Sequence, residues 1–211
     1  MYLFSRSARL TPGSPREQIE WAMHITEKVN QISEPRFQLW SRVFSPGFGT
    51  FAWTTVCQDL MDLENAETKL MLDDGYLGLA EHGARYVSAE GINDGLVYLS
   101  YVDPDAATIH AEYSVLNTMQ AAPGCMSKVL ELGPIAAQRV RQVTGAPTVF
   151  GSGVTGPAGA VGVIALFESL TQLQAAGDAV RADTEFAAFV DGASDMFVPG
   201  SATQTITRRL A

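Results

Sequence analysis

Residues 150–162 read FGSGVTGPAGAVG, and Gly151, Gly153 and Gly156 reproduce the spacing G-x-G-x-x-G. In a dinucleotide site that spacing lets backbone N–H groups at a tight turn approach a pyrophosphate, which then rests on the N-terminus of the following helix. Here the following residues, AVGVIALF, read as a strand. A phosphate-cradling P-loop would need Lys and Ser or Thr after Gly156, where the chain has Pro157 and Ala158. Nucleotide chemistry is therefore excluded. Cys125 offers a different chemistry, because it precedes a predicted helix whose dipole and unpaired N–H groups would stabilise a thiolate. Ser127 is an alternative cap there, and no His or Asp is near in sequence, so an ordinary semi-exposed cysteine is the simpler reading. Cys57 ends a predicted strand and reads as core. His24 falls away from the apolar stripe of its helix, His82 lies near a helix C-terminus, and His110 lies in a connecting segment. Three separated histidines and two cysteines without metal spacing give no metal site, and no cofactor is expected. Asp59, Asp62, Glu64, Glu67, Asp73 and Asp74 are distributed around a helix instead of converging, which predicts a solvated face.

The elements that must position such residues follow from the chain as a whole. Its 211 residues suffice for one large or two small domains. A net charge of −9 disfavours surfaces that gather phosphates, so neither nucleic acid nor an anionic membrane is expected as a partner. The longest apolar runs are too short to span a bilayer and the N-terminus lacks a secretory pattern, which predicts a cytoplasmic protein.

The sequence also resembles itself. Shifted by 111 residues, YLFSRSARLTPG (2–13) lies over YSVLNTMQAAPG (113–124), and EKVNQIS (27–33) over QRVRQVT (138–144). Shifted by 110, residues 59–79 lie over residues 169–189, with Leu60/Leu170, Leu63/Leu173, Ala66/Ala176 and Asp73/Asp183 among the matches. Within the first unit, residues 2–10 read as a strand. A helix follows from Ser14 with Pro15 at its first position, Glu17 completing a capping box, and a stripe of Ile19, Ala22, Ile25, Val29 and Ile32. Strands are predicted over residues 36–44 and 50–57 around the turn SPGFG. A second helix, capped by Asp59, would turn Leu60, Leu63, Leu70 and Leu77 inward, and residues 94–102 close the unit as a strand. The second unit repeats the order and ends at residues 203–210.

The order β-α-β-β-α-β, twice, predicts an α+β fold of two tandem ferredoxin-like repeats, residues 1–103 and 111–211. Residues 94–102 are apolar on both faces, so the sheet expects cover on both faces, and the second unit is the obvious cover. On this element order the chain resembles the dimeric α/β-barrel superfamily in a single-chain, tandem-repeat form. That superfamily includes cofactor-free monooxygenases of antibiotic biosynthesis, polyketide cyclases, muconolactone isomerases, haem-dependent chlorite dismutases and small stress-response proteins. The resemblance implies a ligand between the two sheets and leaves the reaction open.

Alternation along residues 37–44 puts Gln38, Trp40 and Arg42 on the face away from the helices, while Gly151 and Gly153 stand at the repeat positions of Trp40 and Arg42. One unit thus supplies bulk and charge where the other supplies space. With Trp53 on the adjacent strand and Arg6 or its counterpart Asn117 on the first, these residues form the expected substrate-binding set. Arg42, Tyr98 and Cys125 are the catalytic candidates, with Arg42, Gln38 and Tyr98 able to bind or polarise a substrate oxygen. The expected partner is a small hydrophobic or aromatic molecule, and the expected activity is oxygenation, cyclisation or isomerisation without a cofactor. The rival is a non-catalytic ligand-binding or stress-response protein, and exposed strand edges would permit a homodimer.

Overall fold

The computed structural model describes every residue except Phe48, which lies in the predicted turn SPGFG, and every side chain but that of Glu90 as well. The elements run β1 (Tyr2–Leu10), α1 (Pro15–Ile32), β2 (Gln38–Val43), β3 (Thr50–Cys57), α2 (Leu60–Met71), α3 (Asp74–Gly83) and β4 (Val87–Val102). They continue with β5 (Tyr113–Gln120), α4 (Met126–Thr144), β6 (Thr148–Gly153), β7 (Ala160–Phe167), α5 (Leu170–Ala182), α6 (Thr184–Gly192) and β8 (Thr203–Arg209). The fold is α+β, and the strands follow the hydrogen-bonded order β1-β3-β2-β8-β5-β7-β6-β4 as a closed antiparallel barrel. No helix among the described residues is long and apolar enough to cross a membrane. Two compact units emerge, Met1–Leu96 with Arg208–Ala211 and Val97–Thr207, so β4 and β8 each contribute to both.

Several local expectations need adjustment. Each predicted second helix is a pair, α2 with α3 and α5 with α6, because Asp73 and Asp183 interrupt the run. The Asp73 carboxylate accepts the Tyr76 N–H at 2.7 Å, and the Asp183 carboxylate accepts the Phe186 N–H at 2.8 Å. An aspartate that satisfies the free N–H groups of a new first turn starts a helix there. Ser14 makes no capping hydrogen bond, although Pro15 does open α1. The box forms instead at Asp59, which accepts from the Met61 N–H while its own N–H reaches Asp62. The buried stripe of α1 contains Gln18, Trp21 and Thr26, whereas Ile19 and, on α2, Leu60 are exposed. Polar side chains occupy inward positions here because they have partners, as with the Gln18 amide donating to the Thr11 carbonyl at 2.8 Å. Strand β2 stops at Val43 because Phe44 enters the left-handed region with φ 49°.

The hydrogen bonds recur with the sequence offset. Thr11 N–H to the Tyr86 carbonyl is matched by Ala122 N–H to Met196, and Leu10 N–H to Gly49 by Ala121 N–H to Gly159. The Ser33 hydroxyl bonds back to Val29 as Thr144 does to Val140. The Lys28–Asp73 ion pair at 3.0 Å has its counterpart in Arg139–Asp183 at 3.9 Å.

In each unit, the helices cover one face of the sheet, and alternate strand residues fill the layer between. On β3 these are Phe51, Trp53, Thr55 and Cys57; on β7 they are Val161, Val163, Ala165 and Phe167. The two layers are filled differently. In the second unit Phe150 lies against Gly133 so closely that a Cβ on that glycine would overlap its ring. In the first unit the corresponding positions are Leu39 and Ala22, both fully buried.

The Asp73 carboxyl is held below its ordinary range, first by the Tyr76 N–H and then by Lys28. A depressed carboxylate stabilises the fold above its unfolded value, roughly pH 4, and that contribution is lost as pH falls through the lower folded value. Asp73→Asn keeps a capping oxygen and removes the charge. Its melting temperature should therefore lie below that of the parent near neutral pH, and the gap should close on acidification through about pH 4 to 2. Thermal unfolding followed by circular dichroism across that range measures it; a gap independent of pH would refute this account of Asp73.

Candidate functional site

The covered face of the first unit begins with a register. In β1 and β3, Phe4 stands opposite Thr55, Arg6 opposite Trp53 and Ala8 opposite Phe51, and in β2 Leu39 stands opposite Trp53. Opposed residues share a face, so Phe4, Arg6 and Ala8 point with Trp53 toward the helices. The Trp53 Nε1–H donates to the Thr26 hydroxyl at 2.8 Å, and that hydroxyl donates to the Ala22 carbonyl at 2.6 Å. Trp21 meets Trp53 edge to face, with centroids 5.8 Å apart, and donates its Nε1–H to the Leu79 carbonyl. Its indole fits beside α3 because residue 83 is glycine; a Cβ there would overlap the ring. Two indoles in contact, each pinned by its N–H group, thus present only carbon to the space beside them.

That space is a cavity of about 530 Å³, bounded by the sheet and by α1, α2 and α3. Phe4, Phe37 and Tyr76 add to its aromatic wall, and Ile25, Val29 and Leu70 to its aliphatic wall. Among the described residues, the charged ones on its wall are Arg6, Asp94 and Glu67. The Arg6 Nε and Nη2 atoms donate to the two Asp94 carboxylate oxygens at 2.8 and 2.7 Å. These bonds, before the charge of the carboxylate itself, hold the guanidinium above its already high value, so it is permanently charged. Ser88 is also on the wall, and its hydroxyl oxygen is buried without a hydrogen-bond partner among the described residues. A buried hydroxyl left unmatched costs roughly 1–3 kcal/mol, which a ligand atom in the cavity would recover.

The residues singled out from the sequence do not converge on one place. Trp53 is on the cavity wall, as is Arg6. Gln38 and Trp40 occupy the opposite face of the same sheet, where the Trp40 Nε1–H donates to Thr54 Oγ1 at 3.0 Å. Arg42 turns to the Pro46 carbonyl at 3.2 Å. Tyr98 is 45 % exposed. Asn117 accepts a hydrogen bond from the Gln204 amide. Gly151 does not open a space: a Cβ there would come within 2.5 Å of Val97 Cγ1 and 2.8 Å of the Tyr98 carbonyl, because β4 passes close by. At Gly153 a Cβ would lie 3.1 Å from the Thr155 carbonyl.

Cys125 does stand at the N-cap of α4, but it makes no capping bond and leans on the core of the second unit. Cys57 is buried, and that burial, reinforced by Asp62 and Asp59, pushes its thiol up. His24, His82 and His110 are exposed, the first two beside a shallow groove where His82 contacts Arg85 at 2.6 Å. No group of three or more His, Cys, Asp or Glu residues converges as a metal site among the described residues. Glu67 is exposed, as expected of that solvated face, and it also borders the cavity. The β1 alternation Phe4-x-Arg6-x-Ala8 carried the missing signal, because a charge on a face that otherwise reads as core marks an unusual layer.

No family model and no curated protein matches the sequence. Among solved structures, a protein from Fusobacterium nucleatum subsp. nucleatum, described provisionally as a monooxygenase, superposes with a TM-score of 0.74 at 8% identity, over 100% of this chain and 92% of its own. An anthrone oxidase-like protein superposes with a TM-score of 0.67 at 16% identity, over 100% and 92%. A haem-binding protein from Thermus thermophilus gives 0.56 at 14%, over 100% and 91%. At these identities the likeness is one of fold, the α+β barrel. The donor set of the cavity does not fit haem. Among the described residues its lining contains neither histidine nor cysteine, Tyr76 and Met71 being the side chains there of a type that can ligate iron, and its cation is engaged by Asp94 where propionates would need positive partners.

Gly83→Ala tests the wall. The added methyl forces the Trp21 indole away from α3, which should lower stability by about 1–3 kcal/mol in urea unfolding and change the tryptophan emission of the native state. An unchanged midpoint and spectrum would refute this placement of Trp21.

Proposed function

We propose that the first unit binds a flat, largely hydrophobic aromatic molecule in its cavity and oxygenates it without a cofactor. The observation that carries this reading is the combination of a roomy aromatic cavity with one buried, unpartnered hydroxyl, Ser88, and a charged corner. A pocket with apolar walls and a few convergent polar groups orients one face of a ligand and leaves the rest to shape. The provisional monooxygenase and the anthrone oxidase-like protein among the structural neighbours support the choice of reaction.

The chemistry needs an acidic C–H flanked by aromatic rings. Glu67 removes the proton, and the resulting carbanion is stabilised where its charge collects on a ring oxygen, next to Ser88 and Arg6. The electron-rich carbanion then reduces dioxygen. A methylene becomes a carbonyl, one oxygen atom entering the product and the other leaving as water, so no further reductant is consumed. The aromatic and aliphatic walls reduce the access of solvent to the reactive anion. The polarising role expected from the sequence for Arg42, Gln38 and Tyr98 passes in this reading to Arg6 and Ser88.

Anthrone is a suitable probe. The protein should accelerate oxygen uptake and ketone formation, Ser88→Ala should reduce the rate up to about tenfold, and Glu67→Gln by about 10²-fold or more. Quenching of tryptophan emission without oxygen uptake would replace the enzyme by a binding protein. Neither quenching nor uptake would overturn the reading.

A further inference from the structure

We infer that the cavity rejects acids, and that its ligand carries an uncharged or amine-bearing polar end. This inference rests on the cavity being a ligand site, as proposed above. Among the described residues, the charged groups on its wall are one guanidinium and two carboxylates, Arg6 against Asp94 and Glu67. Arg6 is a weakened counter-ion for an incoming anion, because its Nε and Nη2 are already held by Asp94. An anionic ligand would have to share the guanidinium with a bidentate carboxylate and face Glu67 as well, whereas an anion formed in place by proton transfer to Glu67 meets that carboxyl neutral. An ammonium meets two carboxylates and the faces of several aromatic rings, both of which attract it. The net charge of −9 works in the same direction at longer range.

The second unit shows that these charges are not required by the fold. At the sequence offset that relates the two units, Arg6 corresponds to Asn117 and Asp94 to Gln204. There the Gln204 amide donates to Asn117 Oδ1 at 2.9 Å, so a neutral pair makes the same side-chain link between neighbouring strands. The charged version occurs in the unit that holds the cavity. An ion pair with both members about one-third to one-half exposed adds little to stability over such an amide pair. What it changes is the field within the cavity.

A matched series tests this on the whole protein: 2-naphthol, 2-naphthylmethylamine and 2-naphthoate, compared by isothermal titration near neutral pH. The naphthol and the amine should bind, and the carboxylate should bind at least about tenfold more weakly. In Glu67→Gln/Asp94→Asn the wall becomes net positive while Asn can still accept from Arg6, and the preference should reverse in favour of the carboxylate. Circular dichroism and retained naphthol binding establish that this variant is folded. Wild-type binding of the carboxylate as tight as that of the amine, or an order that the charge change does not alter, would overturn the inference while leaving the cavity a ligand site. Failure of all three compounds to bind the wild-type protein would overturn the cavity reading together with it.

Discussion

The layer between sheet and helices in the first unit depends on one short chain of hydrogen bonds, from the Trp53 indole to the Thr26 hydroxyl to the Ala22 carbonyl. Thr26 is almost fully buried, so every polar atom in that chain must be matched inside the protein. The requirement fixes how far α1 stands from β3, and it fixes the plane of an indole that cannot turn without leaving its N–H unpaired. Trp21 then takes the edge of that indole, and Gly83 makes room for Trp21. With two large rings held at their rims, the layer cannot collapse, and the volume beside them stays open. The second unit secures the same layer from the other side, with the Thr148 hydroxyl on β6 donating to the Ala137 carbonyl on α4. There, a phenyl ring can fill the layer.

The architecture was legible because it rests on repeated local signals. Two strands of alternating residues, an amphipathic helix opened by proline, and near-constant offsets of 110 and 111 specify the element order without any knowledge of contacts. What escaped the sequence were the exceptions that tertiary partners permit. Gln18 and Thr26 turn inward because carbonyl and indole groups await them, a fact no hydropathy period contains. Asp73 looked like one of six surface acids and instead divides a helix.

The site was less legible for a related reason. The pairing of Trp40 and Arg42 with Gly151 and Gly153 compared side-chain sizes at matched positions. Gly151 answers to something else, the close passage of β4, where the pairing with β6 is irregular between Leu99 and Tyr101, and Gly153 to the turn at Thr155 and the start of β7. Trp53 does line the cavity, but the sequence joins it to residues of the opposite sheet face. Arg6 stands out in the sequence only beside Asn117, yet the contrast between those two residues separates a unit with a charged cavity from one with a neutral seam. Sequence similarity between the units made the fold readable, and the difference between them marks the site.

Phe150 and Gly133 have a consequence for protein engineering. A phenyl ring seated on a helical glycine is a removable filler, since shortening it need not disturb the strand that carries it. Truncation to alanine would sacrifice about 3–5 kcal/mol, a serious share of a typical domain's stability, whereas leucine, the residue at the matching position 39, is a milder step. A void opened there would be lined by the apolar core of the second unit, with Val129, Val161 and Val163 on its wall. One polypeptide could then carry two compartments of the same plan, the native one with a charged corner and the carved one of hydrocarbon alone.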